Sequence, residues 1–239
     1  MEDIYLTDCI FQRDNQLFIE CGKSCKEIKK HNWHHHLSIL GWEKLDKQWI
    51  TKLNKLNPNP YNNSLFGQLE CGNDGDCLFH CMAGSLMSIN HDYYSSEDIR
   101  RFIAESITEE QFTNIINIYR CMKDVDDFDE NWNPYDIKSL DDFKNELMKT
   151  GHNYWGDHLI IQLLMDTLQV NIFILTSNEL TDTYDKYPLP FTYDSSKNTI
   201  IVVHENECHF KLLGHYQGIM RTYFTHENLP IEIKTLFNV

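Results

Sequence analysis

Two apolar runs near the C-terminal end, Val170 to Leu175 (VNIFIL) and Thr199 to His204 (TIIVVH), constrain the fold more than any other feature of the chain. Each has the length of a strand covered on both faces, as in a sheet with layers packed above and below it. His209 to Gly214 reads as a third strand, joined to the second by a tight polar turn. The covering layers are helical by pattern. Asp157 is a good N-cap for the strongly apolar segment His158 to Leu168. A second helix is expected from Cys77, after the turn residues Asp74 and Gly75, with Gly84 its one breaker, and a third over Ser96 to Cys121. Helices packed on a short sheet whose strands collect near the C-terminus imply an α+β or mixed α/β fold.

The clearest break in composition is Asn54 to Ser64, NKLNPNPYNNS, a turn-rich connector. It divides the chain into an N-terminal accessory block (1–64), a block that carries the chemistry (65–225) and a short tail (226–239). The first block holds an alternating stretch, Gln16 to Cys21, and a Trp, Leu and Lys segment from Leu40 to Leu56 that suits a helix. Composition bears on partners. With 239 residues, 13% of them aromatic, the chain is long enough to bury a sizeable core and too aromatic to be disordered. Thirty-six acids against 21 bases leave a formal charge of -15. That argues against nucleic acid, which is bound through clustered Lys and Arg, and for a basic protein partner. Met1 to Phe11 has neither a basic start nor an apolar secretory core, and no apolar run reaches membrane-spanning length. The expectation is a cytoplasmic monomer, in its own cell or a host's, with no membrane partner. Its eight cysteines (9, 21, 25, 71, 77, 81, 121 and 208) are then reduced, each a core filler, a ligand or a nucleophile.

Gly72-Asn73-Asp74-Gly75-Asp76-Cys77-Leu78-Phe79 delivers a cysteine to the first turn of an apolar helix through a loop of small and acidic residues. A helix N-terminus lowers a thiol pKa through its positive dipole end, and its free N–H groups point where an oxyanion would form. A buried structural cysteine is the competing reading of Cys77. A nucleophilic cysteine needs a base. If Phe210 and Leu212 face the core, the period of two turns His209 and Lys211 to the opposite face, which can line a cleft.

These segments resemble the ovarian tumour (OTU) cysteine proteases, which remove ubiquitin from proteins. Asp74-Gly75-Asp76-Cys77-Leu78-Phe79 matches the family's Asp-Gly-x-Cys-Leu-aromatic nucleophile motif at every fixed position. Tyr154-Trp155-Gly156-Asp157, the helix after it and Val170 to Leu175 are similar to the family's Trp-Gly, helix and strand element. His209-Phe210-Lys211-Leu212-Leu213 is similar to its histidine strand. The resemblance implies a papain-like fold with the nucleophile at a helix N-terminus, Cys77 as nucleophile and His209 as general base. It also implies an oxyanion loop over Gly75, Asp76 and Cys77 shaped by Asp74, ubiquitin or polyubiquitin as partner, and no cofactor. His204 is the rival base, with Asn206 two residues on. Many family members carry Asp or Asn two positions after the histidine, to hold its Nδ1–H. Lys211 stands there and has no acceptor. Either the triad is reduced to a dyad, or an orienting group comes from elsewhere, expected upstream of Cys77 from Asn73, Glu70 or an acid of the N-terminal block, with Asn206 a further candidate. A binding module of the same fold that does not cleave, or a thiol hydrolase of another modifier, are the alternatives.

Two other clusters invite a metal reading. His31, His34, His35 and His36 lie within one helical turn or so, and Cys21 and Cys25 are spaced for zinc, but neither has a matching second ligand set, so no metal is expected. The acidic stretch Lys123 to Asp142 reads as a solvated surface or as a ubiquitin contact, with Trp132, Tyr135 and Phe143 as candidate anchors.

Overall fold

The computed structural model describes residues 3–22, 24–61, 63–72, 74–90, 93–128, 131–151, 156–178, 180–188 and 192–239, the side chains of 88–90 excepted. Its centre is an eight-stranded sheet. Six strands run in the order β5 (Trp42–Lys44), β6 (Phe66–Leu69), β10 (His209–Tyr216), β9 (Asn198–Glu205), β7 (Val170–Asn178), β8 (Thr183–Lys186). The short β11 (Met220–Arg221) and β12 (Tyr223–Phe224) pair with β10 and β9. β7 and β9 run parallel, Ile172 opposite Ile200, and the other pairings are antiparallel. The mixed α/β class follows, with a sheet wider than the three C-terminal runs suggest.

Strand alternation sorts the core into two layers. Ile172, Ile174, Ile200, Val202, Phe210 and Leu212 face α3 (Cys77–Asn90), α4 (Ser96–Ser106), α5 (Glu109–Asp124), α6 (Leu140–Leu147) and α7 (His158–Leu168). Their neighbours Phe173, Leu175, Ile201, Val203 and Leu213 face α2 (Lys47–Asn54) and α8 (Ile231–Phe237). Each residue of β7 and β9 from 172 to 175 and 200 to 203 is therefore buried on one side or the other, as a continuous apolar run requires.

The helix expected over 96–121 is two helices. Thr108 is extended and caps α5, its hydroxyl accepting from Gln111 N while Gln111 reaches back to Thr108 N, a capping box that overrides the apolar period. The helix expected over 40–56 is also divided. Gly41, at φ +85°, ends a short 3-10 turn (Ser38–Leu40), Trp42–Lys44 joins the sheet, and Asp46 caps α2 by accepting from Gln48 N.

The connector at 54–64 does not divide the molecule into separate cores, since β5 before it pairs with β6 after it and α2 shares a layer with α8, formed by the expected tail. What stands apart is a four-stranded antiparallel sheet, β1 (Ile4–Tyr5), β2 (Ile10–Arg13), β3 (Gln16–Cys21) and β4 (Ser24–Glu27). With α1 (Trp33–Leu37) it closes a third cluster over the far end of β10, where Trp33 stacks on Tyr216 at 6.2 Å and Tyr216 Oη donates to Ile28 O. The histidine-rich segment lies around α1, whose Trp33 and Leu37 are buried, and Cys21 and Cys25 are exposed on adjacent strands.

Candidate active site

Cys77 opens α3, and the chain reaches it through a loop bent by two glycines, Gly72 at φ +154° and Gly75 at φ +90°. Side chains of the loop and helix hold it. A Cβ on Gly72 would meet His80 Cδ2 at 2.8 Å, and His80 Nε2 lies 3.4 Å from an Asp74 carboxylate oxygen. Asp74 Oδ1 accepts from Asp76 N at 3.2 Å. Burial pushes the Asp74 carboxyl up, but the Asp76 N–H and His80 outweigh it and hold it below its ordinary value. Asp74 thus occupies the N–H of Asp76 within the loop. The Asp76 N–H is one of the three expected oxyanion donors.

The histidine strand arrives from the opposite side. Phe210 N donates to Cys77 Sγ at 3.4 Å, which fastens the start of β10 to the start of α3. His209, the residue before, is partly exposed, and its Nε2 lies 2.8 Å from both oxygens of Glu70. The pairing of β6 with β10, Leu69 opposite Leu212, carries the chain past β6 to His209 and so brings Glu70 there. An acceptor upstream of Cys77 was expected on Nδ1. It is present, but on Nε2, because β6 approaches the ring from that edge. Lys211 Nζ pairs with Glu205 at 2.7 Å and has no part in orienting the ring.

Burial pushes the Cys77 thiol above its ordinary value, and the Glu70 charge adds to this, while the N–H groups of Phe210 and Leu78 oppose it. The lowering expected from the helix terminus alone does not prevail, because the sulfur is buried against β10.

The other candidates are placed as follows. His204 sits opposite Phe210 and stacks on its ring at 4.1 Å, and burial lowers its pKa to about 4. Asn206 is in the β9–β10 turn at φ +51°, its N–H on Ser177 O at 2.7 Å. Asn73, Tyr154 and Trp155 lie outside the described residues. Gly156 is described, and a Cβ there would run into Leu78, the residue after the nucleophile. Of the proposed contact anchors, Trp132 and Phe143 are buried in an aromatic cluster with Tyr119 and Phe128, and Tyr135 is exposed with its hydroxyl on Asp124 at 2.7 Å.

Sequence reasoning missed two residues at the loop. His80 follows the nucleophile by one turn. Arg100 is fully buried, with Nε donating to Asp76 Oδ1 at 3.0 Å and Nη2 to the same oxygen. The signal for Arg100 was present, since it stands on the stripe 100, 103, 104, 107 whose other members are Ile103, Ala104 and Ile107. Among the described residues, Asp74, Asp76 and His80 are the group of potential metal ligands that come together, and the Asp76 carboxylate there is taken up by Arg100 and by Gly151 N at 3.0 Å.

Residues 72–216 match the family of OTU-like cysteine proteases. That is more than half of the chain, and the protein belongs to this family. Among curated proteins none matches the chain in sequence. Solved structures similar to it include an OTU domain in complex with ubiquitin, at 20% identity over 72% of this chain and 80% of that one, with a TM-score of 0.43. An OTU deubiquitinase from Wolbachia pipientis is 18% identical over 67% and 94% of the two chains, with a TM-score of 0.43. The Hazara virus OTU bound to ubiquitin is 14% identical over 63% and 82%, with a TM-score of 0.38.

Proposed function

We propose that the protein is a deubiquitinase that hydrolyses the isopeptide bond at the ubiquitin C-terminus through Cys77, His209 and Glu70. The observation that carries this reading is the meeting of three separate segments. The loop after β6 supplies Glu70 to His209 Nε2, and β10 docks its Phe210 N–H on the Cys77 sulfur. With Nε2 held by a carboxylate, Nδ1 is the nitrogen left to take the thiol proton.

In this reading the Cys77 thiol gives its proton to His209 as the sulfur attacks the ubiquitin carbonyl carbon. The resulting oxyanion is met by the N–H groups of Gly75 and Cys77. His209 then protonates the departing lysine amine, leaving a thioester, and water deprotonated by His209 hydrolyses it to free ubiquitin and thiol. Because burial keeps the resting sulfur protonated, proton transfer belongs to the reaction and Glu70 stabilises the imidazolium that forms.

A ubiquitin probe with a C-terminal electrophile tests the reading. Wild type is expected to form a covalent adduct and Cys77→Ala none, with no cleavage of ubiquitin chains by that variant. His209→Ala should lower turnover by roughly two orders of magnitude or more. Adduct formation by Cys77→Ala, or a wild type inert to the probe, would remove the assignment.

A further inference from the structure

Asp76 occupies the variable position of the Asp-Gly-x-Cys motif, yet it is among the most enclosed charged groups of the molecule, 2% exposed, against an Arg100 that is 0% exposed. Beyond its two donors to Asp76, Arg100 gives Nη1 to Leu147 O at 3.0 Å and lays its guanidinium 3.9 Å over the Phe79 ring. Asp76 Oδ2 accepts from Gly151 N at 3.0 Å, and Asp76 O accepts from His80 N at 2.9 Å. The carboxylate therefore ties the nucleophile loop to α4 and to the segment after α6, and Arg100 extends the tie to the last residue of α6.

We propose that Arg100 and Asp76 form a clamp that positions the nucleophile loop for the reaction assigned to Cys77, with Arg100 acting as a positioning residue that touches no substrate. The loop has little stiffness of its own. Gly72 and Gly75 leave its backbone free to move, and a glycine-bearing loop loses much conformational entropy when it is held in one shape. The peptide groups on either side of Asp76 carry the N–H groups of Asp76 and Cys77. Fixing the Asp76 side chain thus fixes the direction of the Cys77 N–H and the start of α3. A buried ion pair is a poor device for stability, since desolvation offsets most of its attraction, but the planar fork of Arg defines orientation in a way a packed apolar pair does not. Misplacement of a reacting group by about 1 Å costs up to ~100-fold in rate.

This inference rests on the deubiquitinase reading, and the test separates the two. Turnover of ubiquitin bearing a fluorogenic C-terminal amide is measured for wild type, Arg100→Lys and the neutral pair Asp76→Asn with Arg100→Gln. Alongside it run the thermal midpoint and the pH dependence of Cys77 alkylation by iodoacetamide. The clamp predicts kcat lowered by about tenfold or more in both variants, with KM within about twofold. The pH midpoint of alkylation should stay unchanged, because Arg100→Lys keeps the charge and the neutral pair removes one charge of each sign together. Lys keeps the charge but not the fork, so Arg100→Lys also covers the case in which the neutral pair does not fold. Wild-type kcat in a folded variant, or a loss of kcat that vanishes once the rate is referred to the folded fraction of the protein, would overturn the clamp. If wild type is inert toward ubiquitin, the deubiquitinase reading fails instead. The clamp is then read from amide exchange at Gly75, Asp76 and Cys77, which should quicken in the folded variants while the rest of α3 keeps its protection; unchanged exchange there would overturn it.

Discussion

At His209 the two ring nitrogens have different surroundings, and Glu70 decides which is which. A carboxylate on Nε2 holds the imidazole in one orientation and one tautomer, the service that a residue at position 211 gives in many family members. Glu70→Ala is accordingly expected to lower kcat on a ubiquitin substrate by about tenfold to a hundredfold, and Glu70→Gln by less, because its amide oxygen still accepts from Nε2. Steady-state kinetics of the two variants check this; equal activity of Glu70→Ala and wild type would leave Cys77 and His209 as a dyad. His204 does not stand in for His209. Its ring is spent on Phe210, and a pKa of about 4 makes it a weak proton acceptor near neutral pH. His204→Ala should therefore leave kcat far closer to wild type than His209→Ala does.

Among the elements, β6 and β5 link the N-terminal residues to the site. β6 delivers Glu70 and is itself paired on its outer side by β5, whose Trp42 lies opposite Leu69. α2, after β5, buries Trp49 and Leu53 at 0% exposure in the layer that also holds Phe173 and Phe237. Removing residues 1–64 strips the sheet of an edge strand and opens this layer. Large-to-small changes at single buried positions such as Trp49 already cost about 3–5 kcal/mol. The truncated chain is thus expected to lose its cooperative thermal transition as well as activity, seen by calorimetry. A folded truncation with full activity would show that β6 holds Glu70 in place without β5 or α2.

For the molecule as a whole, the half-buried His204 on β9 and the buried His215 on β10 contribute to its acid sensitivity. Burial lowers His204 to about 4, and burial with the Lys30 charge lowers His215 to about 3. The unfolded chain binds these protons near pH 6.5 and the native state does not, so the unfolded state holds more protons between about pH 6.5 and those values, and stability falls as pH falls through that window. At roughly 1.4 kcal/mol per unit the two together remove several kcal/mol. Asp157, raised by burial at the start of α7, works the other way at the low end of the window. Urea titrations at pH 7 and pH 5 should show a lower midpoint at pH 5, and Phe in place of His204 should lessen the difference.

What the sequence by itself determined is local. The buried strands follow from the unbroken apolar runs at 170–175 and 199–204, α7 from Asp157 and an apolar period, and the start of α3 from Asp74-Gly75 before Cys77, because propensity, capping and alternation act over a few residues. The family motif marked Cys77 and His209 for the same reason, as each lies in a short segment with fixed neighbours. Tertiary structure alone brought Glu70 to His209, on Nε2, and turned Asp76 inward to Arg100. Those pairings join residues 24 to 139 positions apart, and only the register of β6 on β10 and the packing of α4 on α3 bring them within a hydrogen bond.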